Sequence, residues 1–452
     1  RVLSDLVDYK DELLARGREL QWHPEYMRHR YESWVNGLVG DWCISRQRFF
    51  GVPFPVWYPI GPDGEVRYDR PLVPDESRLP IDPSTDVPDG YRTEQRGQPN
   101  GFTGDPDVMD TWATSSLTPQ VAGRWLGDSD LFARVFPMDL RPQAHEIIRT
   151  WLFSTVLRAH LEHDSLPWTH AAISGWVLDP DRKKMSKSKG NVVTPMGLLD
   201  EHGSDGVRYW AASGRPGTDT AFEPGQMKVG RRLAIKILNA ARFALMQAEP
   251  RGAITEPLDR GMLTALAHLV DESTANMEAY DYARVLERTE AFFWAFCDDY
   301  LELVKARRYG DFGAEGAASA NSAMLVALSA LLRLFAPFLP FVTEEVWSWW
   351  RPGSVHQSSW PTAKEIERAL GTLDSESLVV RNATTQALGE VRRVKSLLKK
   401  PTKAVIASAM LPASFEALRP AARDFCAATH IRQLAFGSVT EAELQFQDEP
   451  LA

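Results

Sequence analysis

Apolar residues recur with helical spacing through most of the chain beyond residue 194. Thr194 and Pro195 suit a helix N-terminus, and from there apolar positions follow an i, i+3, i+4, i+7 pattern in one segment after another. This pattern predicts a helical bundle. Its candidate helices are Met196–His202, Ser204–Ser213, Gly225–Gln247, Arg260–Ala279, Tyr282–Arg308, Ala318–Phe335 and Phe341–Trp350.

The segment before the bundle has a different pattern. Short apolar runs at Val135–Leu140 and Ala171–Val177 flank the helical pattern of Glu146–His160. A strand, a helix and a second strand at this spacing favour a βαβ unit, so we expect a parallel sheet. Prolines recur throughout Gly51–Pro106 and interrupt any long helix, which predicts an irregular or short-stranded insertion.

The two ends of the chain differ in character. From Ser377 onward the pattern predicts a basic helix, Val391–Lys403, and a candidate strand, Ala404–Leu411, which together favour a small α/β appendage. The chain begins with Arg1 rather than methionine, and Arg1–Leu14 reads like the middle of a helix. We therefore expect a fragment or a processed chain.

Composition narrows the class of protein. The 452 residues, 44% of them hydrophobic, are enough for about three domains of roughly 150 residues each. A net charge of −9 opposes a polyanionic partner unless basic residues gather locally. The cysteines Cys43, Cys297 and Cys426 form no CxxC pair, which is typical of a reducing compartment and predicts a cytoplasmic location. The sequence contains no run of about 18 consecutive apolar residues, so we do not expect membrane insertion.

One loop carries the strongest chemical signal. Five basic residues are interleaved with Met185, Ser186, Ser188 and Gly190 directly after an apolar strand: Arg182, Lys183, Lys184, Lys187 and Lys189. Ammonium groups, hydroxyls and free backbone N–H groups together can bind a polyphosphate. A solvated charged loop would have the same composition, so composition alone leaves both interpretations open.

The string Lys-Met-Ser-Lys-Ser at 184–188 resembles the KMSKS motif of class I aminoacyl-tRNA synthetases, and the following Lys-Gly-Asn is typical of it. The resemblance implies that Lys184, Met185, Ser186, Lys187 and Ser188 bind ATP. It also implies that Lys184 and Lys187 are catalytic, because they would stabilise negative charge on the pyrophosphate leaving group.

Two further segments resemble the valine-specific members of this family. Asp41–Arg48 is similar to the stretch that leads from the editing insertion back into the catalytic domain of the valine, isoleucine and leucine enzymes. Asp107–Ser116 favours valine, because Thr111 and Thr114-Ser115 stand where the isoleucine enzyme has Val and Asp-Ser. The resemblance runs from about Leu3 to the Trp360 region and implies the later half of a valine–tRNA ligase.

The resemblance also implies a substrate site. Trp112, Ile147 and Trp151 would form the wall of a small valine pocket, the last two at i and i+4 and hence on one helix face. Periodicity alone favours Ile147 and Trp151 as core residues of an amphipathic helix, and only the resemblance reverses this. Glu146 aligns with the family's ribose-binding acid, and His145 is a nucleotide-contact or packing residue. Ala144 replaces the Gly of the bacterial-type pattern.

RNA binding is implied by the helical region. Pro340–Trp347 and Gly353–Pro361 resemble the end of the anticodon-binding bundle shared by the valine, isoleucine, leucine and methionine enzymes. A nearby acid-free stretch could contact phosphates, although a solvated helix is about as good an interpretation. Its basic residues are Arg392, Arg393, Lys395, Lys399, Lys400 and Lys403.

The family pattern is incomplete in this chain. No His-x-Gly-His motif occurs, and only the trailing edge of an editing insertion could be present before Asp41. Gly51–Pro106 contains no cysteine, so we predict neither a structural zinc nor any other resident metal.

We therefore expect α/β followed by all-α architecture. Its parts would be an editing-domain edge and return segment (1–50), a Pro-rich insertion (51–110), the second half of a Rossmann-type catalytic domain (111–193), connecting helices (194–230), the anticodon-binding bundle (231–370) and the appendage (371–452). The implied reaction joins valine to tRNA(Val) with ATP and Mg²⁺. We expect the enzyme to be a monomer, and this chain alone to be inactive without the remaining half. The alternatives are an isoleucine- or leucine-type ligase and a non-catalytic tRNA-binding module.

Overall fold

A parallel sheet and a helical bundle organise the computed structural model, which describes residues 2–3, 6–185, 190–246 and 249–447. The chain divides into two compact units. One comprises residues 1–176 and 216–218, and the other comprises residues 177–215 and 219–452.

The first unit is built on a three-stranded parallel sheet in the order β2 (Gln21–His23), β9 (Trp168–Ser174), β8 (Met138–Ala144). Its helices are α1 (Lys10–Glu19), α2 (Arg28–Asn36), α3 (Thr111–Ser115), α4 (Thr118–Ala122), α5 (Ser129–Val135) and α6 (Phe153–His163). Its strands are β1 (Val2–Leu3), β2 (Gln21–His23), β3 (Trp42–Cys43), β4 (Ser45–Arg46), β5 (Trp57–Pro59), β6 (Phe102–Gly104), β7 (Val108–Met109), β8 (Met138–Ala144) and β9 (Trp168–Ser174).

The predicted βαβ unit is confirmed, but its boundaries were wrong. The Asp128 carboxylate caps α5, so residues up to Val135 are helical and β8 begins only at Met138. Phe136 stacks on Phe132 at 4.8 Å instead of entering the sheet. The crossover helix is also less regular than predicted, since a 3₁₀ turn and a π turn (Ile148–Leu152) precede α6.

The Pro-rich segment forms a small structure of its own, as the prolines predict. β5 and β6 pair antiparallel, and the buried side chains of Trp57, Ile81 and Phe102 form a separate small core. Irregular backbone covers most of the remaining segment.

The second unit is mainly helical and ends in a small sheet. Its helices are α7 (Pro195–Ala212), α8 (Pro224–Met246), α9 (Pro257–Glu278), α10 (Tyr282–Ala295), α11 (Leu301–Arg308), α12 (Ala314–Phe335), α13 (Pro340–Ser348), α14 (Ala363–Leu370), α15 (Ser375–Leu397) and α16 (Ala422–Thr429). Its strands are β10 (Val177–Leu178), β11 (Thr220–Ala221), β12 (Ile406–Pro412), β13 (Ile431–Gly437) and β14 (Glu443–Phe446).

The predicted bundle is confirmed, with local differences. The two helices predicted on either side of Gly203 are halves of α7, which is kinked where Gly203 takes a positive φ of 73°. The single helix predicted over Tyr282–Arg308 is α10 and α11 joined by a π turn, Phe296–Tyr300. Helix α12 is long and apolar enough to span a membrane, but 78% of its most apolar stretch is buried within the protein, as in a core helix.

The C-terminal segment is the predicted α/β appendage, with strands in the order β13-β12-β14 and β12 parallel to β13. The predicted basic helix Val391–Lys403 was wrong at its end, because α15 stops at Leu397. Lys399 then adopts a positive φ of 53°, which turns the chain toward β12.

Candidate functional site

The first unit brings together two segments that are far apart in sequence, Asp41–Arg48 and Asp107–Ser116. Strands β4 and β7 pair antiparallel, and the Arg46 guanidinium lies 2.7 Å from the Asp110 carboxylate. The other Asp110 oxygen accepts a hydrogen bond from the backbone N–H of Trp112 at 2.8 Å, and so caps α3. One buried carboxylate therefore fixes both the return segment and the helix that carries Trp112.

A cavity of about 550 Å³ lies beside this junction. Its wall combines apolar rings with charged groups, and the residues that matter here are Trp34, Trp42, Trp112, Asp41 and Arg149. A volume of this size suits a small ligand that has one apolar part and one charged part. Of the three predicted pocket residues, only Trp112 lines this cavity.

Trp151 is a buried support rather than part of that wall. Its indole N–H donates to the Ser115 carbonyl at 3.0 Å, and its ring stacks on Trp168 with centroids 5.3 Å apart. The guanidinium of Arg141 lies 3.3 Å from the centre of the same ring. Burial lowers the pKa of Arg141 to about 10.

The expectation that Ile147 and Trp151 share one helix face was wrong. The backbone between them passes from a 3₁₀ turn into a π turn, in which hydrogen bonds run from residue i to i+5, so the spacing of an α-helix does not apply. Ile147 is half-buried and packs against the core of the first unit.

The predicted nucleotide-contact residues line a second cavity of about 560 Å³. His145 and Glu146 form part of its wall together with His29, Arg30 and Arg149. The His145 ring is buried and lies 4.7 Å from the ring of Trp176, whereas Glu146 is exposed. Two guanidinium groups next to an exposed carboxylate can bind a phosphate on one side and a hydroxyl on the other.

The KMSKS loop belongs to the second unit, and a hydrogen-bonded staple closes its base. The Asp179 carboxylate accepts from the Lys183 N–H at 2.7 Å and from the Asn191 amide at 2.8 Å. The hydrogen bonds from Asn191 and Lys183 lower the pKa of Asp179, in that order of size. Asn191 also donates to the Lys184 carbonyl at 3.3 Å.

This staple places the exposed Lys184 and the half-buried Met185 at the beginning of the loop. The predicted residues Ser186, Lys187 and Ser188 lie outside the described residues. Sequence reasoning missed Asp179 as a loop residue, although the polar Asp-Pro-Asp turn that follows β10 and the Asn after the motif were available signals.

The basic stretch after residue 391 separates into three kinds of residue. Arg392 pairs with Asp299 at 2.6 Å, and Arg393 pairs with Glu390 and Glu441, each at 2.8 Å. Lys399 and Lys400 are exposed. The expectation that Lys395 contacts tRNA was wrong. Lys395 is buried, and its ammonium donates to three backbone carbonyls, which leaves no donor for a phosphate.

The helical unit also contains a cleft of about 610 Å³ that sequence reasoning missed. Its wall includes Arg242, Arg351, Trp349 and Trp350. The Arg242 guanidinium lies 5.7 Å from the ring centre of Trp349, and that of Arg351 lies 4.4 Å from Trp350. The run Trp-Trp-Arg directly after α13 was the signal that could have indicated it.

Among the residues that the structure describes, no group of three or more His, Cys, Asp or Glu side chains is placed to hold a metal ion. The expected absence of zinc stays a prediction.

Comparison with known proteins identifies the family of the chain. Residues 5–223 match the model of the class I tRNA synthetases for isoleucine, leucine, methionine and valine, and residues 259–407 match that of the anticodon-binding domain of tRNA ligases. The chain is 59% identical to the valine–tRNA ligase of Thermobifida fusca over 98% of its own length and 50% of that protein. It is 56% identical to the valine–tRNA ligase of Salinispora tropica, over 98% of this chain and 53% of that one.

Solved structures show the same fold at low identity. A leucyl-tRNA synthetase of Agrobacterium radiobacter K84 in complex with tRNA has a TM-score of 0.57 at 22% identity, over 74% of this chain and 44% of that one. The methionyl-tRNA synthetase of Mycobacterium tuberculosis with methionyl-adenylate has a TM-score of 0.56 at 20% identity, over 75% of this chain and 61% of that one. The chain spans about half the length of the valine–tRNA ligases that it matches. With residues 5–223 matched to the one family model and residues 259–407 to the other, the chain belongs to the class I tRNA synthetases of the isoleucine, leucine, methionine and valine group.

Proposed function

We propose that this chain supplies the KMSKS loop, part of the amino-acid site and the RNA-binding helices of a valine–tRNA ligase. The observation that carries the proposal is the 59% identity to a valine–tRNA ligase across 98% of the chain, including an intact Lys184–Ser188 motif. A cytoplasmic monomer remains our prediction for its state.

The first step would be activation of valine by MgATP. The valine carboxylate attacks the α-phosphorus, the bond from that phosphorus to the bridging oxygen of pyrophosphate breaks, and pyrophosphate leaves with the electron pair. Lys184 and Lys187 would stabilise the charge that accumulates on the leaving group. The Asp179–Asn191 staple supports this role because it fixes the base of the loop whose sequence contains both lysines.

Nucleotide binding is the proposed role of the cavity beside Glu146. Its carboxylate would accept hydrogen bonds from the ribose hydroxyls, and Arg30 and Arg149 would face the phosphates. His145 is buried against Trp176, which favours a packing role over proton transfer.

Selection of valine would depend on shape. An apolar pocket gains only about 1–3 kcal/mol for each methylene that it accepts or rejects, so its walls must be rigid. Trp112 is held by the Asp110 cap, and the Ser154 hydroxyl donates to its carbonyl at 3.2 Å. Trp151, fixed between Arg141 and Trp168, would support this wall from the core.

Transfer of the valyl group to the terminal ribose hydroxyl of tRNA(Val) would follow, and the helical unit would bind that tRNA. The cleft lined by Arg242, Arg351, Trp349 and Trp350, which we call the Arg–Trp cleft, supports this part of the proposal, because indole rings stack on unpaired bases and guanidinium groups pair with phosphates.

The test is ATP–pyrophosphate exchange by a protein in which this chain is extended to the full length of its relatives. We expect exchange with valine to exceed that with isoleucine or leucine, and Lys187→Ala to lower the rate about 10²–10³-fold, as loss of one transition-state donor does. Lys183→Ala is the matched control, because Lys183 precedes the motif and pairs with Asp181 at 3.6 Å. An unchanged rate in Lys187→Ala would instead indicate a non-catalytic tRNA-binding module.

A further inference from the structure

The appendage displays a group of basic side chains where β12 and β13 begin. Its members, which we call the basic corner, are Lys399, Lys400, Lys403, His430 and Arg432, all exposed. The Ile406 N–H donates to the His430 carbonyl at 2.9 Å, which holds the 399–405 loop against the start of β13. Partial burial lowers the pKa of His430, and the neighbouring charges of Lys395 and Lys403 lower it further.

The charges of this corner are not neutralised within the described part of the chain. No described carboxylate forms an ion pair with its lysines or with Arg432. Arg392 and Arg393, only one or two helical turns earlier, are both paired with acids. Four exposed cations without counter-charges create a positive local field on a chain whose net charge is −9.

A buried lysine fixes the shape of the corner from beneath. The Lys395 ammonium donates to the carbonyls of Thr402 at 2.7 Å, Ala404 at 3.0 Å and Thr429 at 2.9 Å. These bonds use all three of its donors and connect the 399–404 loop to the end of α16. The loop is therefore held in place before any partner binds, which lowers the entropic cost of binding.

We propose that the basic corner binds the phosphate backbone of tRNA, as a contact additional to the Arg–Trp cleft of the bundle. Lysine ammonium groups are compact point charges that suit phosphates and carry no geometry for reading bases. The contact would be independent of sequence and would weaken steeply with salt. This inference rests on the proposed function, since it assigns a second contact to the same RNA partner.

The test measures binding of the 452-residue chain to a labelled tRNA(Val) transcript by fluorescence anisotropy between 50 and 200 mM KCl. Each lost phosphate contact lowers the slope of log K against log salt by about 0.9. Lys400→Ala with Lys403→Ala should therefore lower the slope by about 1.8. If the wild type and this double variant bind equally at 1 M salt, a difference of about 1.8 in slope corresponds to about 60-fold weaker binding by the double variant at 0.1 M.

Matched variants separate charge from folding. Lys364→Ala with Arg368→Ala removes two exposed cations from α14 and should leave the slope unchanged. Lys400→Arg with Lys403→Arg should keep the wild-type slope. Acetylation of the wild-type chain gives a second readout, in which tRNA should protect Lys399, Lys400 and Lys403 but not Lys364.

The outcomes are distinct. If the wild-type chain does not bind tRNA in a salt-dependent way, the proposed RNA-binding function itself fails. If the wild-type chain binds and the Lys400/Lys403 double variant has the same slope, with no protection from acetylation, the basic corner is not an RNA contact. Equal protection by polyglutamate of the same charge would overturn the RNA assignment in favour of an acidic protein partner.

Discussion

Replacing Arg307 should destabilise the helical unit more than replacing any exposed arginine. Arg307 is 2% exposed and connects three elements: its guanidinium donates to Asp259 at 2.7 and 2.9 Å and to Asp424 at 2.9 and 3.1 Å. Asp259 also accepts from the Tyr300 and Ser319 hydroxyls. Arg307→Met would leave two buried carboxylates without their counter-ion.

The expected loss is about 4 kcal/mol, within the range of about 3–5 kcal/mol for breaking a buried ion pair on one side. In urea this corresponds to a midpoint lowered by about 2 M for an m-value of about 2 kcal/mol/M. Far-UV circular dichroism at pH 7.5 would follow the unfolding of the helices.

Lowering the pH should reduce this loss. Burial already raises the pKa of Asp424 to about 6, in spite of the opposing charge of Arg307, and without Arg307 that pKa rises further. A carboxyl whose folded pKa exceeds its unfolded value of 3.8 takes up protons on folding, so stability increases as the pH falls through the folded pKa. The deficit of Arg307→Met should therefore be smaller at pH 5.5 than at pH 7.5.

Arg308→Met is the matched control. Arg308 is also buried, but its described contacts are the Ala244 carbonyl at 3.3 Å, the Met324 sulfur and the ring of Phe243. We expect a loss below about 2 kcal/mol, since no carboxylate loses a partner. Equal losses in the two variants, or a deficit independent of pH, would refute the reasoning from buried charge.

Two further predictions concern the same unit. Lys395→Met removes the ammonium that donates to three buried carbonyls and should lower the free energy of unfolding in urea by about 3 kcal/mol. Lys399→Met, at an exposed position, should lower it by less than about 0.5 kcal/mol, and similar losses in the two variants would contradict the buried role of Lys395. Asp374 caps α15 and pairs with Arg260 at 2.8 Å, and the Arg260 hydrogen bond is the main cause that lowers the pKa of Asp374 to about 2. Asp374→Asn keeps the cap and should cost about 1 kcal/mol at pH 7, with the difference from wild type shrinking as the pH falls below 3.8 and through 2. A difference as large at pH 2 as at pH 7 in chemical denaturation would disprove this linkage.

Local patterns in the sequence determined much of this protein. Apolar spacing predicted the bundle helices to within a few residues, because the same periodicity that makes a helix amphipathic is what buries one of its faces. The KMSKS loop and the segments around Asp41 and Asp107 could be read as motifs because their residues are contiguous. The ends of helices and strands were harder to predict from the sequence, as the Asp128 cap and the Gly203 kink show.

Only the tertiary structure decided the contacts between distant residues. Lys395 and Lys399 are the same residue type four positions apart, yet one is buried and the other exposed. Helix α15 ends between them, and the first contacts the 402–404 loop and the end of α16. Asp110 and Arg46, or Arg307 and Asp424, meet only after folding. The energy of such pairs depends on burial and distance, and a pattern along the chain contains neither.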